Sequence, residues 1–341
     1  MNITISTNRN LLYFGVPLAL FAVVAFFVQS ITLKNIDALS LAITADLLIT
    51  IPLVYFLLIR NSSISKITVI PMMILGLVLG GYLLPKENQN YLDLFKTWAL
   101  PVIELTVMTF VVIKVRMAIK GFKRLKSGSA DFFTILKKTC AEFLPKRLVL
   151  PFATEVAVIY YGFIRWKSHK PAENEFTYHK TSGTPALFGA VIFVIGIETL
   201  ALHILLEGWN QWVAWILSIL SVYTALQVFG FAKSLGQRPI VFDTDSLILH
   251  YGILNEVKIP FEHIDSIELS GKSIDRLPMA KTLSPIGDLE GHNVILYLKE
   301  ESTLSGLYGL KQRFKILALY VDNKNEFVSK LAAYCDNQDK D

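Results

Sequence analysis

Charge is what this chain is short of. Of its 341 residues, 18% are Asp, Glu, Lys or Arg, whereas soluble domains carry about a quarter; a uniformly water-exposed fold is excluded for the chain as a whole. Cysteine is scarcer still. Cys140 and Cys335 are the only two, far apart and without a second Cys or a His at zinc-finger spacing, which excludes a disulfide framework and argues against structural zinc. Catalytic signatures are missing too: no P-loop, no G-x-G-x-x-G after a strand, no G-x-S-x-G and no HExxH.

What the chain has instead is apolar length: 53% of its residues are hydrophobic. A bilayer core about 30 Å thick needs roughly 20 apolar residues in helical form. Such runs occupy residues 11–28, 41–59, 67–84, 98–116, 185–206 and 209–231. The first follows a single Arg and no small-x-small cleavage site follows it, so it reads as an anchor. Trp209, Trp212 and Trp215 mark the junction of the last two as a membrane–water boundary. The expected fold is therefore a polytopic α-helical membrane bundle over residues 1–235, followed by a soluble domain over 236–341.

Orientation follows from Lys and Arg in short loops. Residues 114–147 hold ten of them against two acids, Asp131 and Glu142, a local +8 in a chain whose total is +5. This stretch should face the cytoplasm, with anionic inner-leaflet lipid as its partner rather than nucleic acid. Counting back over four spans puts the N-terminus inside too. Residues 148–166 are apolar enough to cross, yet hold Pro151 and Glu155 and are flanked on both sides by basic residues. A re-entrant or interfacial helix there gives six spans and a cytoplasmic C-terminal domain; a crossing gives seven and exports it. The preceding residues 131–144 have apolar residues at helical spacing, with Lys137 and Lys138 between them. They fit either a helix on the inner membrane surface or one packed on the C-terminal domain.

From Arg238 the apolar period becomes strand-like. Strands are expected at 239–242, 246–251, 256–261, 264–269, 294–299, 304–307 and 313–321. A terminal helix follows, capped by Asp322 or Asn323 and striped by Phe327, Leu331 and Tyr334. The insertion 271–293, with Pro278 and Pro285, reads mainly as disorder.

The segment RPIVFDTDSLILHYGILNEVKIPFEHIDSIEL resembles the opening of bacterial PH-like domains attached to membrane helices. Asp243 and Asp245 form an acidic turn, Gly252 turns the first hairpin, and Ile259 and Pro260 lead into an Ile-rich strand. The resemblance covers about a third of the chain. It implies antiparallel strands closed by a helix, a bacterial inner (plasma) membrane and a use in protein contacts, without an activity. Phosphoinositide binding would need basic residues around that hairpin, and the nearest is Lys258.

Carboxylates at membrane depth are the remaining candidates for chemistry, since each costs about 2.5–3.5 kcal/mol unless protonated or partnered. Asp46, Glu104 and Glu198 fall roughly 9–12 Å below the outer edge at 1.5 Å per residue, with His203 nearer the surface. Carboxylates with an imidazole suit zinc or iron, with Glu198 and His203 as ligands. Those two, however, lie five apart and off one helical face, whereas His203 and Glu207 share one. The alternative is that each acid is protonated or bonded to a neighbouring threonine such as Thr44, Thr106 or Thr199. Glu155, His169 and His179 form a second candidate cluster on the cytoplasmic side. Three histidines in the helical half are too few for the eight-His di-iron desaturases. The leading expectation is a membrane-anchored interaction or assembly module with no cofactor. An intramembrane metal-dependent enzyme acting on a lipid or other apolar substrate comes second, and a proton- or ion-coupled transporter third.

Overall fold

The computed structural model describes residues 6–30, 37–62, 64–124, 131–167, 169–274 and 276–338; Lys126 of the basic stretch lies outside them. The chain divides into two compact units, residues 1–120 with 138–146, and residues 121–137 with 147–341. Among the described residues, seven helices are long and apolar enough to cross a membrane: Leu12–Ser30, Ala38–Ile59, Lys66–Leu83, Asn90–Met117, Lys146–Ile164, Thr184–Glu207 and Gln211–Leu235.

In the first unit, Leu47, Ile51, Tyr55, Ile59 and Leu92 fill the core, all 2% exposed or less. Two of its helices are interrupted by single π-turns, Asp46–Thr50 and Phe95–Ala99. Gly76 is needed for close approach. A Cβ there would stand 2.1 Å from the Leu47 carbonyl oxygen, whereas one at Gly81 would meet nothing within 4 Å. Tyr55 Oη lies 2.9 Å from Thr68 Oγ1, so the buried phenol keeps a partner.

The second unit joins three of the long helices to the sheet. Lys146–Ile164 ends in a π-turn, Tyr160–Ile164, and lies against Gln211–Leu235 where Gly230 faces Val158 and Gly162. Its length and composition are those of a span, but one face is buried along its whole course, at Val149, Ala153, Thr154, Ala157, Val158 and Tyr161. The hairpin of Thr184–Glu207 and Gln211–Leu235 differs: few of its residues are buried. Pro185 sits in the first turn of the first helix, where its missing N–H costs nothing. Asn210 caps the second, its side chain accepting from the backbone N–H groups of Trp212 and Val213.

Among the described residues, eight strands make one mostly antiparallel sheet: β1 (Glu175–Phe176), β2 (Ile240–Phe242), β3 (Ser246–Tyr251), β4 (Asn255–Pro260), β5 (Ile264–Glu268), β6 (Ala280–Thr282), β7 (Val294–Gly306) and β8 (Lys311–Leu319). Their order is β1-β2-β3-β4-β7-β8-β6, with β5 also on β7 and only the β6–β8 pair parallel. The strands expected at 294–299 and 304–307 are one, β7, because a register shift between Tyr297 and Ser302 carries the ladder through the polar residues between them. Strands β1 and β6 were too short for a periodicity to show. The insertion 271–293 is ordered where described: it holds β6, and Ile274, Leu283 and Glu290 are buried. Gly252 turns β3 into β4 at φ +51°, with Ser234 and Leu235 packed against it. The terminal helix Lys324–Gln338 buries Phe327 and Leu331 completely and stacks Tyr334 on Phe261 at 4.8 Å.

Candidate functional site

The residues singled out for chemistry in the helices do not assemble. Asp46, Glu104 and Glu198 are each exposed. Thr44, Thr106 and Thr199, the expected partners, donate instead to carbonyls four residues back in their own helices. Asp46 and Glu104 belong to the first unit, Glu198 and His203 to the second. His203 turns to the neighbouring helix, its Nδ1 lying 2.7 Å from Ser218 Oγ. Ser218 already donates to the Ala214 carbonyl at 2.8 Å, so His203 Nδ1 carries the proton and donates. Among the described residues, no three His, Cys, Asp or Glu side chains come together as a metal ion requires.

The second candidate cluster is redistributed. His169 Nε2 pairs with Glu175 at 2.5 Å. His179 packs edge-on to Tyr178 with its Nδ1 buried and unbonded, and burial lowers its pKa. Glu155 gathers a different set: Tyr223 Oη donates to Oε2 at 2.5 Å, Gln227 Nε2 to Oε1 at 3.0 Å and Tyr308 Oη to Oε1 at 3.1 Å. Three elements meet at this carboxylate: Lys146–Ile164, Gln211–Leu235 and the β7–β8 turn. Beside it lies a cavity of about 200 Å³, lined by Lys137, Leu150, Thr154, Glu256, Ser305 and Tyr308 among others.

The most strongly held charges lie where the helices meet the sheet. Arg238 is 1% exposed and spends its guanidinium on three acceptors: Asp131 Oδ2 at 2.5 Å from Nε, the Gly252 carbonyl at 2.6 Å from Nη1 and Glu256 Oε2 at 2.9 Å from Nη2. The Phe133 ring covers it at 5.1 Å, and Lys137 pairs with the other oxygen of Glu256. Asp131 also caps the helix it precedes, accepting from Thr134 N at 2.7 Å. Burial works to raise the Asp131 pKa, but Arg238 and His250 outweigh it and hold the group at about 2. Burial and then Arg238 push His250 down to about 4; its Nδ1 donates to the Pro239 carbonyl at 2.8 Å. Residues 131–137 are thus fastened to the sheet, the second of the two settings open to that amphipathic segment.

A third polar centre is Glu290, from the insertion. It is buried, accepts from Tyr251 Oη and Thr184 Oγ1, and burial raises its pKa. A cavity of about 350 Å³ opens beside it, lined by Ser273, Ile274, Thr282, Glu290 and His292 with glycine backbone. Sequence reasoning missed both Arg238 and Glu290. The signal for Arg238 was an arginine between a span and a strand, indistinguishable by pattern from an ordinary membrane-flanking charge; Glu290 gave none.

No known protein family, curated protein or solved structure matches the chain.

Proposed function

We propose that the chain is a bacterial inner-membrane protein working as a membrane-anchored interaction or assembly module, with a PH-like domain facing the cytoplasm. The observation that carries this reading is Arg238. A fully buried guanidinium bonded to residues 131, 252 and 256 fastens the sheet to the end of a long apolar helix. A loosely tethered domain needs no such joint, whereas a platform held at fixed orientation to the bilayer does. The sheet closed by a C-terminal helix supports the PH-like reading. The Tyr251–Asn255 turn, where a headgroup would bind, is packed on Ser234 and Leu235 and has no basic residue. That favours protein contacts or self-association. The basic residues 114–147 fit the anionic inner leaflet and a cytoplasmic face.

A photo-crosslinking residue at Glu300, Glu301 or Arg313, on the exposed face of β7 and β8, tests this in intact cells. The expected result is an adduct of discrete mass from at least one position. No adduct from any of the three, with the fold intact, overturns the module reading. The Glu155 cluster favours a second reading, an enzyme acting on an apolar substrate at the Tyr308 cavity. Turnover of an apolar ester or amide by the purified protein, lost in Glu155→Gln, would decide for it over the module.

A further inference from the structure

We propose that the turn between β7 and β8, residues 307–310, is seated in the lipid bilayer as a wedge beside the membrane helices. The inference rests on the reading that the hairpin of Thr184–Glu207 and Gln211–Leu235 spans the membrane, and it follows from depth. Trp212, 80% exposed, stands at one end of Gln211–Leu235. At the other end Lys233 lies 4.9 Å over the exposed ring of Trp166, the aromatic and basic pairing typical of a boundary. From Trp212 to Lys233 a helix rises about 31 Å at 1.5 Å per residue, the thickness of a hydrocarbon core. Gln227 lies about 9 Å inside the Lys233 edge on the same rise, and Tyr223 about 15 Å. Moving the boundary inward to leave these residues in water would shorten the helix below the length that crosses.

The turn is bonded at that depth. Tyr308 Oη accepts from Gln227 Nε2 at 3.3 Å and donates to Glu155. Tyr223 Oη donates to the same carboxylate, so the polar groups carried below the edge satisfy one another, as a water-free site demands. Gly309, at φ +87°, lets the backbone close on Leu150: a Cβ there would stand 3.0 Å from Leu150 Cδ1. What the turn leaves uncovered is apolar, with Leu310 68% exposed, continuous with the lipid-facing side chains of the helices. The next residue out is Lys311, and Arg313 follows with a side chain 78% exposed. At about 3.3 Å per residue along a strand, Lys311 regains the headgroup layer within three residues of Tyr308, where anionic lipid attracts cations.

The test uses the full chain in vesicles of phosphatidylethanolamine and phosphatidylglycerol. In a Cys140→Ala, Cys335→Ser background, a polarity-sensitive fluorophore is attached singly through Leu310→Cys, through Ile219→Cys on the spanning helix, or through Glu300→Cys on β7. Quenching by nitroxide-labelled acyl chains is compared with quenching by aqueous iodide. The wedge predicts lipid quenching at 310 and 219, with iodide quenching at 300. Lipid quenching at 219 with iodide quenching at 310 overturns the wedge and leaves the spanning helix standing. Iodide quenching at 219 overturns the spanning reading, and the wedge with it. Lipid quenching at all three positions also counts against a wedge, because it would mean that the whole sheet face lies on lipid.

Discussion

Two sets of carboxylates share this chain, and their surroundings are opposite. Asp46, Glu104 and Glu198 sit on apolar helices with their side chains outward. Asp131, Glu256 and Glu290 come from polar stretches of the sequence, yet they are the ones partly or fully enclosed and given partners. A buried ionised group survives only when paired and hydrogen-bonded, so Asp131 and Glu256 had to be built around, while Glu290 is held by the hydroxyls of Tyr251 and Thr184. The first set was never enclosed. An acid's rarity in its stretch of sequence therefore says little about whether the fold uses it; the partners brought to it decide that.

The sharpest way to break this contrast is to remove the shared partner. Arg238→Met leaves the partly buried Asp131 and Glu256 without their guanidinium, and stripping one side of a buried pair costs up to about 3–5 kcal/mol. Thermal unfolding in detergent should show a large fall in Tm, with Arg238→Lys recovering only part because an ammonium cannot serve three acceptors in the guanidinium's fork. A Tm within a degree or two of the parent would mean the joint does not hold the sheet. Next in size are the helix contacts. Gly230→Ala puts a Cβ 2.7 Å from the Val158 carbonyl oxygen, and Gly76→Ala one 2.1 Å from that of Leu47. Overpacking of this kind costs about 1–3 kcal/mol, whereas Gly81→Ala meets open space and should leave Tm unchanged in the same assay.

These positions also show what pattern can and cannot deliver. The long apolar runs, the strand periodicity from residue 240 onward and the terminal helix with Phe327 and Leu331 were legible, because each depends on local spacing. Arg238 was not, because its three acceptors lie 107, 14 and 18 residues away and no period links them. Glu155 stands out in sequence for its apolar setting, but its company of Tyr223 and Gln227 depends on how two helices pack, and Tyr308 on how β7 and β8 turn. The prolines of the insertion 271–293 suggested disorder, since composition cannot reveal that Glu290 reaches Thr184 and Tyr251.

Titration separates the buried acids from one another. Asp131 has its pKa depressed to about 2 from 3.8, so its stabilisation is present above pH 3.8 and is lost as pH falls through 2. His250, held at about 4 rather than 6.5, acts in the same sense: its contribution is full above pH 6.5 and lost as pH falls through 4. Glu290 runs the other way. Its raised pKa gives stabilisation that is full below the ordinary value of 4.5 and lost as pH rises through the folded-state value. Unfolding measured across that window should show Glu290→Gln gaining on the parent as pH rises, with the two converging towards pH 4.5. A gap that widens on acidification would mean that the carboxylate is stabilised as the anion.

The smallest effect is expected at the acids that first drew notice. Glu198 is exposed on Thr184–Glu207, and substitutions away from a packed or bonded feature usually change stability by less than about 0.5 kcal/mol. Glu198→Gln should therefore leave Tm in detergent micelles where it was, because the carboxylate has water or headgroup within reach there. In a bilayer the same carboxylate carries a transfer cost of about 2.5–3.5 kcal/mol when ionised, which the amide does not. The informative comparison is thus the same variant in the two media. Equal stability in micelles with a gain in vesicles marks Glu198 as a lipid-facing acid that the fold tolerates. A loss in vesicles alone shows that the bilayer brings it a partner, such as a second copy of the chain, and moves it into the class of carboxylates that are held.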